Sequence, residues 1–311
     1  MSWICPLCST ANVDAERRCI VCDTEKPARD PEATALLDRL KKLRDKKTGK
    51  GSNADFEQGM EAFHRRDHAT ACGFFLRAAE AGYAPAQNMA GECYYYGRGV
   101  LPDIDRAVEW YRKAAQQDNA QAQYNLGYCY FYGKGVAANA KEAAQWFRLA
   151  ADQGHAGAMN QLAECYYYGK GVPQSYEQAR ALYAAAAEKG HAGALYNLGF
   201  LYLKGQGVAE DHGLAHRYFQ QAAEKGHTAA IVEMGNCYFH GRGVARNYER
   251  AVEYFRRAAD LGSRVAQFNM GYCYENGRGV VQDRMAARQW YRKAAAQGHT
   301  NAAQALARLG G

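Results

Sequence analysis

The sequence lacks an apolar run of the roughly 18–20 residues that a membrane-spanning helix needs. It also has few prolines, 6 in 311 residues, against 32 glycines. Since proline interrupts helices and glycine often ends them, this balance favours helices separated by regular turns. The S-x-x-K, H-E-x-x-H, G-x-S-x-G and Walker sequences of common hydrolases and nucleotide-binding enzymes are absent as well. We therefore expect a helical protein that is not an enzyme.

The beginning of the sequence lacks the features of a secretory signal. The stretch MSWICPLCST has neither a basic segment nor an apolar core. We therefore expect a cytoplasmic protein whose thiols stay free or bind metal, while export by a route without a signal peptide remains open. The formal net charge of +7 is a mild basic excess, compatible with nucleic acid or with acidic partners.

One eight-residue box, CYYYGRGV at Cys93, recurs along the chain with a spacing of 36 residues. The related boxes begin at Cys129, Cys165, Leu201, Cys237 and Cys273. This period lies in the range that indicates a solenoid of stacked repeats. It predicts six 36-residue units over 84–299, a divergent helix pair without the glycine loop at 53–83, and a C-terminal half repeat at 300–311.

Each unit is interpreted as two helices joined by the glycine loop. In the second unit an apolar stripe of period 3.6 marks one face of the first helix, and Gly133 ends that helix because glycine accepts the left-handed conformation. The stripe consists of Ala122, Leu126, Cys129 and Tyr130. The second helices begin at a column of capping residues, namely Asp103, Asn139, Ser175, Asp211, Asn247 and Asp283.

These residues follow the pattern A-x-A-x-x-x-L-G-x-x-Y-x-x-G-x-G-V, then A-x-x-W-[YF]-x-x-A-A, then G-H, over 84–311. The pattern resembles the Sel-one-like repeat (SLR) family. The resemblance implies an all-α fold, a right-handed superhelical α/α solenoid similar to tetratricopeptide repeats, and a role as a scaffold for protein complexes. Some secreted members carry one disulfide per unit, built from two cysteines, whereas each full unit here has at most one cysteine.

The segment 1–26 contains two C-x-x-C pairs that predict a structural zinc site. Four thiolates can form the tetrahedron that zinc prefers, and a domain this small needs such a staple to fold. A redox pair is the alternative, but it normally occurs in a thioredoxin-like setting that is missing here. The predicted ligands are Cys5, Cys8, Cys19 and Cys22.

Trp3 and Asn12 complete a pattern that resembles the Ran-binding-protein-type zinc finger (zf-RanBP). RNA-reading members have an aromatic residue directly after the asparagine, but Val13 follows it here. Ubiquitin-binding members have Thr-Phe after the second cysteine, where this sequence has Ser9-Thr10. RNA and ubiquitin therefore stay possible ligands, although the finger lacks the side chains with which family members bind them. A structural or protein-docking finger is favoured.

Residues 27–52 form a basic linker between the finger and the repeats. Asp30-Pro31-Glu32 is a good helix start, and a narrow leucine stripe is surrounded by lysines and arginines up to the glycine-rich segment 49–52. We favour a solvated connector helix. The alternative is a basic arm that binds nucleic acid or acidic lipid.

The box itself is better explained by packing and turns than by chemistry. Cys129 shares a face with Leu126, and the equivalent position 201 is leucine, so a buried apolar role is expected. The glycine loop offers amides before a helix, as phosphate sites do, but no strand precedes it. His212 and His216 lie one helical turn apart without the further ligands of a zinc hydrolase, so we interpret them as surface histidines.

The outward face of the first helices is unusually aromatic. By resemblance to tetratricopeptide solenoids it lines a concave groove, which we expect to bind an extended or helical protein segment, since tyrosine is favoured at interfaces. Glu92 and Glu164 among the rings suggest a partner with some positive charge. The alternative is an RNA-associated adaptor that uses the finger and the basic linker. The predicted partner-binding residues are Tyr95, Tyr96, Tyr124, Tyr128, Phe131, Tyr132, Tyr167, Tyr168, Tyr196, Phe200, Phe239, Phe268 and Tyr272.

Overall fold

The computed structural model describes the backbone of residues 2–4, 11–13 and 50–52 and the complete residues 53–310. Near the N-terminus, strands β1 (Ser2–Ile4) and β2 (Ala11–Val13) pair in antiparallel register. The predicted zinc ligands Cys5, Cys8, Cys19 and Cys22 and the predicted linker up to residue 49 lie outside the described residues. The zinc site and the linker helix therefore stay predictions.

From residue 50 onwards the described chain consists of helices joined by short turns. The first six are α1 (Lys50–His64), α2 (His68–Glu80), α3 (Ala84–Tyr96), α4 (Ile104–Ala115), α5 (Ala120–Tyr132) and α6 (Ala140–Asp152). They are followed by α7 (Ala156–Tyr168), α8 (Tyr176–Glu188), α9 (Ala192–Lys204), α10 (His212–Glu224) and α11 (Thr228–His240). The last are α12 (Tyr248–Asp260), α13 (Arg264–Asn276), α14 (Arg284–Ala296) and α15 (Thr300–Arg308).

Each helix packs mainly on its two neighbours along the chain, which is the arrangement of a helix-pair solenoid. Odd-numbered helices are the first helices of the pairs and even-numbered helices are the second. The divergent pair begins at Lys50 rather than at residue 53, and α15 is the expected half repeat. In the part of the chain that the structure describes, no helix is long and apolar enough to cross a membrane.

Side-chain caps start the second helices as predicted. Asn139 Oδ1 accepts a hydrogen bond from the Glu142 amide at 3.1 Å, and the other five predicted caps accept equivalent bonds. The Glu142 carboxylate accepts from the Asn139 side chain at 3.3 Å. On the other side of the loop, Gly133 ends α5. It has φ 65°, and its amide donates a hydrogen bond to the Cys129 carbonyl.

The two helices of a unit approach closely because a glycine on the first helix lies under a ring on the second. A Cβ added at Gly127 would lie 2.8 Å from Phe147 Cδ1, so the ring occupies the space of the missing side chain. The same pairing occurs in four other units: Gly91 with Tyr111, Gly199 with Phe219, Gly235 with Phe255, and Gly271 with Tyr291. In the remaining full unit the small residue is Ala163, beside Tyr183.

The second glycine of the box connects one unit to the preceding one. Gly171 has φ 75°, and a Cβ there would collide with the backbone carbonyl of Ala140, the first residue of α6. The corresponding glycines of the other five full units also lie against the first residue of the preceding second helix, namely His68, Ile104, Tyr176, His212 and Tyr248, although at Gly207 the nearest atom is the Cβ of that residue. The box is therefore an architectural element of the solenoid.

The cysteines of the boxes lie in the core. Those from Cys93 to Cys273, together with Cys72 on α2, are free and buried. Burial raises the pKa of the Cys129 thiol to about 11 and that of the Cys273 thiol to about 12. Since the thiolate is the reactive form, Cys129 and Cys273 serve as apolar filling, and the expectation that Cys129 is buried is confirmed. Cys72 differs, because a hydrogen bond with Cys93 lowers the pKa of its thiol.

The contact between units predicts unequal effects of two glycine substitutions. Gly171→Ala combines a left-handed φ with a backbone collision, so we expect a loss of stability of about 3 kcal/mol. Gly262→Ala is the matched control, because Gly262 has φ 85° and open space around its Cα, and about 1 kcal/mol is expected there. Urea denaturation followed by circular dichroism measures both. Equal losses would contradict the proposed contact.

Candidate protein-interaction face

The first helices of neighbouring units are joined along one surface. Asn125 Nδ2 on α5 donates to Asn88 Oδ1 on α3 at 2.9 Å, and Asn197 Nδ2 on α9 donates to Asn160 Oδ1 on α7 at 3.1 Å. The predicted partner-binding residues lie on these helices. We call this set the aromatic face; it consists of Tyr95, Tyr96, Tyr124, Tyr128, Phe131, Tyr132, Tyr167, Tyr168, Tyr196, Phe200, Phe239, Phe268 and Tyr272.

Four tyrosines of the aromatic face are exposed. Tyr96, Tyr132 and Tyr168, the fourth residue of their boxes, are 59%, 49% and 62% exposed, and Tyr272 is 43% exposed. Such side chains are large and rigid and carry a hydroxyl, which is the combination favoured at protein interfaces. These four residues are therefore the strongest anchor candidates on the face.

The other members are half buried, and one column of them also holds the units together. The Tyr124 ring stacks on His155 with 4.8 Å between ring centroids and lies against Phe147 at 6.0 Å. Tyr196 contacts His227 in the same way, and Phe268 contacts His299. This column offers a partner only part of each ring, because the remainder packs against its own unit and the next one.

The histidines beneath this column are helix caps, a role that sequence reasoning did not identify. His155 Nδ1 accepts from the Ala158 amide at 3.0 Å and thereby caps α7. His191, His227 and His299 cap their helices in the same way. The sequence did contain a signal for this role: Asn119, a standard capping residue, occupies the position of His155 in the preceding unit.

Rings on the aromatic face contact one another and the basic residues of the boxes. Tyr128 and Tyr132 lie 4.4 Å apart between ring centroids, and Phe239 reaches Tyr272 of the next unit at 6.0 Å. Lys170, the basic residue between the two glycines of its box, is exposed, yet its Nζ lies 5.4 Å from the centroid of the Tyr168 ring. Cation–π attraction therefore holds this amine on the aromatic face.

The aromatic face alternates in character from one unit to the next. Tyr124 and Tyr128 on α5 are replaced on α7 by Asn160 and Glu164, and on α9 by Tyr196 and Phe200. Asn88 and Glu92 repeat the polar pair on α3. At these two positions the face thus alternates with a period of two units, and Glu164 lies on a helix between two aromatic neighbours, whereas α11 has Val232 and Asn236 there. The sequence contained this signal in the alternating columns.

The alternation produces cavities between first helices. One of about 490 Å³ lies between α7 and α9 and is lined by Glu164, Tyr168 and Phe200 among others. Another of about 210 Å³ between α11 and α13 is lined by Phe239, Tyr272 and neighbouring residues. The smaller cavity has the size of a single side chain, whereas the larger one can also accept the backbone next to an inserted side chain.

The histidine pair on α10 does not form a metal centre. His212 Nε2 lies 2.8 Å from a Glu210 carboxylate oxygen, whereas His216 is half buried beside the Tyr238 ring. The interpretation as two surface histidines therefore holds for His212 and is wrong for His216, whose ring packs at the unit interface. Between residues 53 and 310, no group of histidine, cysteine and acidic side chains is arranged to hold a metal ion.

Comparison with known proteins supports the repeat assignment. The family model of the Sel1 repeat matches seven successive segments, including the divergent pair: 54–83, 84–119, 120–155, 156–191, 192–227, 228–263 and 264–299. A search of the curated proteins gave no match.

Two solved structures are similar over most of the chain. One is a protective antigen of uropathogenic Escherichia coli with an SLR fold, at 35% identity over 88% of this chain and a TM-score of 0.71. The match covers 59% of the antigen, so this chain spans about three fifths of its length. The other is a Sel1 repeat protein from Oxalobacter formigenes, at 31% identity over 77% of this chain and 96% of that chain, with a TM-score of 0.73.

The histidine caps predict a contribution to stability that depends on pH. Burial lowers the pKa of His155, His191 and His227 from the ordinary value of 6.5. The folded state therefore favours the neutral imidazole, whose Nδ1 accepts the capping bond. This stabilisation is present above pH 6.5 and is lost as the pH falls through the lowered values.

A triple variant with all three histidines replaced by asparagine keeps a capping oxygen without a titrating group. Between pH 7 and pH 5, we expect the wild type to lose more unfolding free energy than this variant, as measured by urea denaturation at each pH. Asn119 is the natural precedent for the replacement. Parallel pH profiles of the two proteins would contradict the assignment.

Proposed function

Because the chain belongs to the Sel1 repeat family, we propose that it is a protein-interaction scaffold that binds a segment of a partner protein on the aromatic face. Helix-pair solenoids present extended surfaces of this kind, since each unit adds one more helix to the same side. The observation that carries the proposal is the row of exposed tyrosines Tyr96, Tyr132 and Tyr168 at the same position of consecutive units.

The physical argument for binding is that these rings have no structural task that requires them to be tyrosine. Core rings such as Phe147 are fully buried against a helix glycine, whereas Tyr132 and Tyr168 lie at the surface and pack against rings at the edge of their own helices. Large exposed rings in a row gain energy only when a partner covers them. A binding role is supported over thiol chemistry at the boxes of these units, because Cys129 and Cys165 are buried and burial raises their pKa values.

We also propose that residues 1–26 form a zinc finger that serves as a docking module beside the solenoid, in a reducing cytoplasm. The proposal rests on the two C-x-x-C pairs of the sequence, whose four thiolates suit a closed tetrahedral site. A finger at one end of a solenoid gives a scaffold a second contact, so that two weak interactions act together.

The tyrosine row leads to a test on a double variant, Tyr132→Ala with Tyr168→Ala. Both side chains are exposed, so the fold should be retained, while partner affinity should fall by about 2 kcal/mol or thirtyfold. Quantitative crosslinking mass spectrometry of the tagged protein in its own cells identifies the partners and measures their capture.

The matched control replaces Leu149 and Leu261 by alanine. Both leucines are similarly exposed, 46% and 57%, but Leu149 lies on the second helix α6 and Leu261 directly follows the second helix α12. The control should capture the same partners as the wild type. Undiminished capture by the tyrosine variant, with its helix content intact, would remove the assignment of the aromatic face.

The zinc proposal is checked by metal analysis of the purified full chain. We expect one zinc per chain, lost in Cys8→Ser because three thiolates hold the ion poorly. Cys165→Ala is the control that removes a buried thiol of the repeats and should keep the full zinc content. A chain without bound zinc, or one whose zinc survives Cys8→Ser, would contradict the site.

A further inference from the structure

The cavity between α7 and α9 combines one carboxylate with several aromatic walls. Glu164 lies on the α7 side together with Tyr167 and Tyr168, and Tyr196 and Phe200 contribute the α9 side. The volume of about 490 Å³ exceeds that of any one side chain, so an entering group can bring part of its backbone with it.

An amide network fixes the Glu164 carboxylate in this cavity. Asn160 Nδ2 donates to Glu164 Oε1 at 3.0 Å, and Asn160 Oδ1 accepts from Asn197 Nδ2 at 3.1 Å. Among the described residues, no lysine or arginine forms an ion pair with this carboxylate. Burial raises the pKa of Glu164, which means that the charged form is poorly solvated and would gain from a cation.

The same arrangement occurs two units earlier, where the chain supplies its own cation. Glu92 and Tyr96 are the counterparts of Glu164 and Tyr168. Arg98 Nη1 lies 3.8 Å from the Glu92 carboxylate, and its guanidinium carbon lies 4.6 Å from the centroid of the Tyr96 ring. One arginine therefore pairs with the acid and stacks on the ring at once.

At the cavity, the counterpart of Arg98 is Lys170, and it does not fill this role. Its Nζ lies 5.3 Å from the centroid of the Phe131 ring in the preceding unit and 5.4 Å from that of Tyr168. The amine thus sits between two rings and forms no ion pair with Glu164. Lys170 therefore does not occupy the position beside Glu164 that corresponds to the position of the Arg98 guanidinium beside Glu92.

We propose that this cavity binds an arginine side chain of the partner segment, whose guanidinium pairs with Glu164 and stacks on Tyr168. A planar guanidinium can do both, because it donates two parallel hydrogen bonds and presents a flat face to the ring. The inference rests on the proposed function, since it names the side chain that a bound protein segment inserts into the aromatic face.

The surrounding charges limit what can bind there. Lys204 lines the same cavity. Burial raises the pKa of Glu164 and of Glu233 in the next unit, and the nearby charges of Lys170 and Lys204, respectively, offset only part of that rise. A cation that remains at the rim is repelled by these two amines. Only a group long enough to reach the carboxylate and flat enough to stack on the ring gains from both contacts.

The test titrates the ¹⁵N-labelled full chain with N-acetyl-arginine methylamide. We expect saturable shifts of the backbone amides of 164–168 and 196–200, with Kd on the order of millimolar for so small a probe. The citrulline analogue has the same shape without the charge and should bind at least about tenfold more weakly. The lysine analogue should also bind more weakly, because it cannot stack on the ring.

Variants at Glu164 and Glu92 locate the site, and a variant at Arg98 tests whether a second arginine site can be created beside Glu92. Glu164→Gln should weaken arginine binding about tenfold, while Glu92→Gln, the matched control, should leave these shifts unchanged because Arg98 already serves that carboxylate. Arg98→Ala should create a second set of shifts around Glu92. Shifts that persist in Glu164→Gln, equal binding of citrulline, or no binding at all would overturn the arginine site.

The outcome is independent of the test of the proposed function. If the probe fails while the variant Tyr132→Ala with Tyr168→Ala still loses its partners, the aromatic face stands and the arginine site falls. If the probe binds at Glu164 but that tyrosine variant keeps its partners, the cavity is a cation site outside the partner interface, and the inference about the partner segment is wrong.

Discussion

The stacking of this solenoid depends on one contact, in which the second glycine of each box touches the first backbone carbonyl of the preceding second helix. A Cβ at Gly171 has no room beside the Ala140 carbonyl, and the left-handed φ of this residue sets the direction of the loop. Because the contact recurs in every full unit, the rotation from one unit to the next is fixed. The first helices consequently share one surface, and their side chains meet in columns.

The aromatic face follows from this stacking and from a sequence period of two units. Rings at Tyr128 and Phe200 flank Glu164, so a carboxylate lies between apolar neighbours rather than in open solvent. Such a site discriminates among partner side chains by charge and shape. Scaffolds built from simple repeats acquire specificity in this way, through small departures from the repeat at a few positions.

Much of the fold could be predicted from local signals. The caps from Asp103 to Asp283, the helix-ending glycines and the buried cysteines each depend on one residue type in one backbone environment, and the structure contains them. The aromatic columns were also visible at helical spacing. Their division into exposed anchors such as Tyr168 and packing rings such as Tyr124 was not, because it depends on contacts such as the one between Tyr124 and the histidine that caps the next first helix. The roles of His155 and His216 were missed for the same reason.

The period, the helix ends of the full units and the residues of the core could be read from the chain alone, because they depend on hydrogen bonds and periodicities within one 36-residue unit. The tertiary structure alone decided which groups of different units meet. Asn160 reaches Asn197, Lys170 turns to Phe131, and Glu164 is left beside an open cavity. These contacts join residues on different helices through side-chain conformations that respond to their neighbours, and no spacing along the chain specifies them.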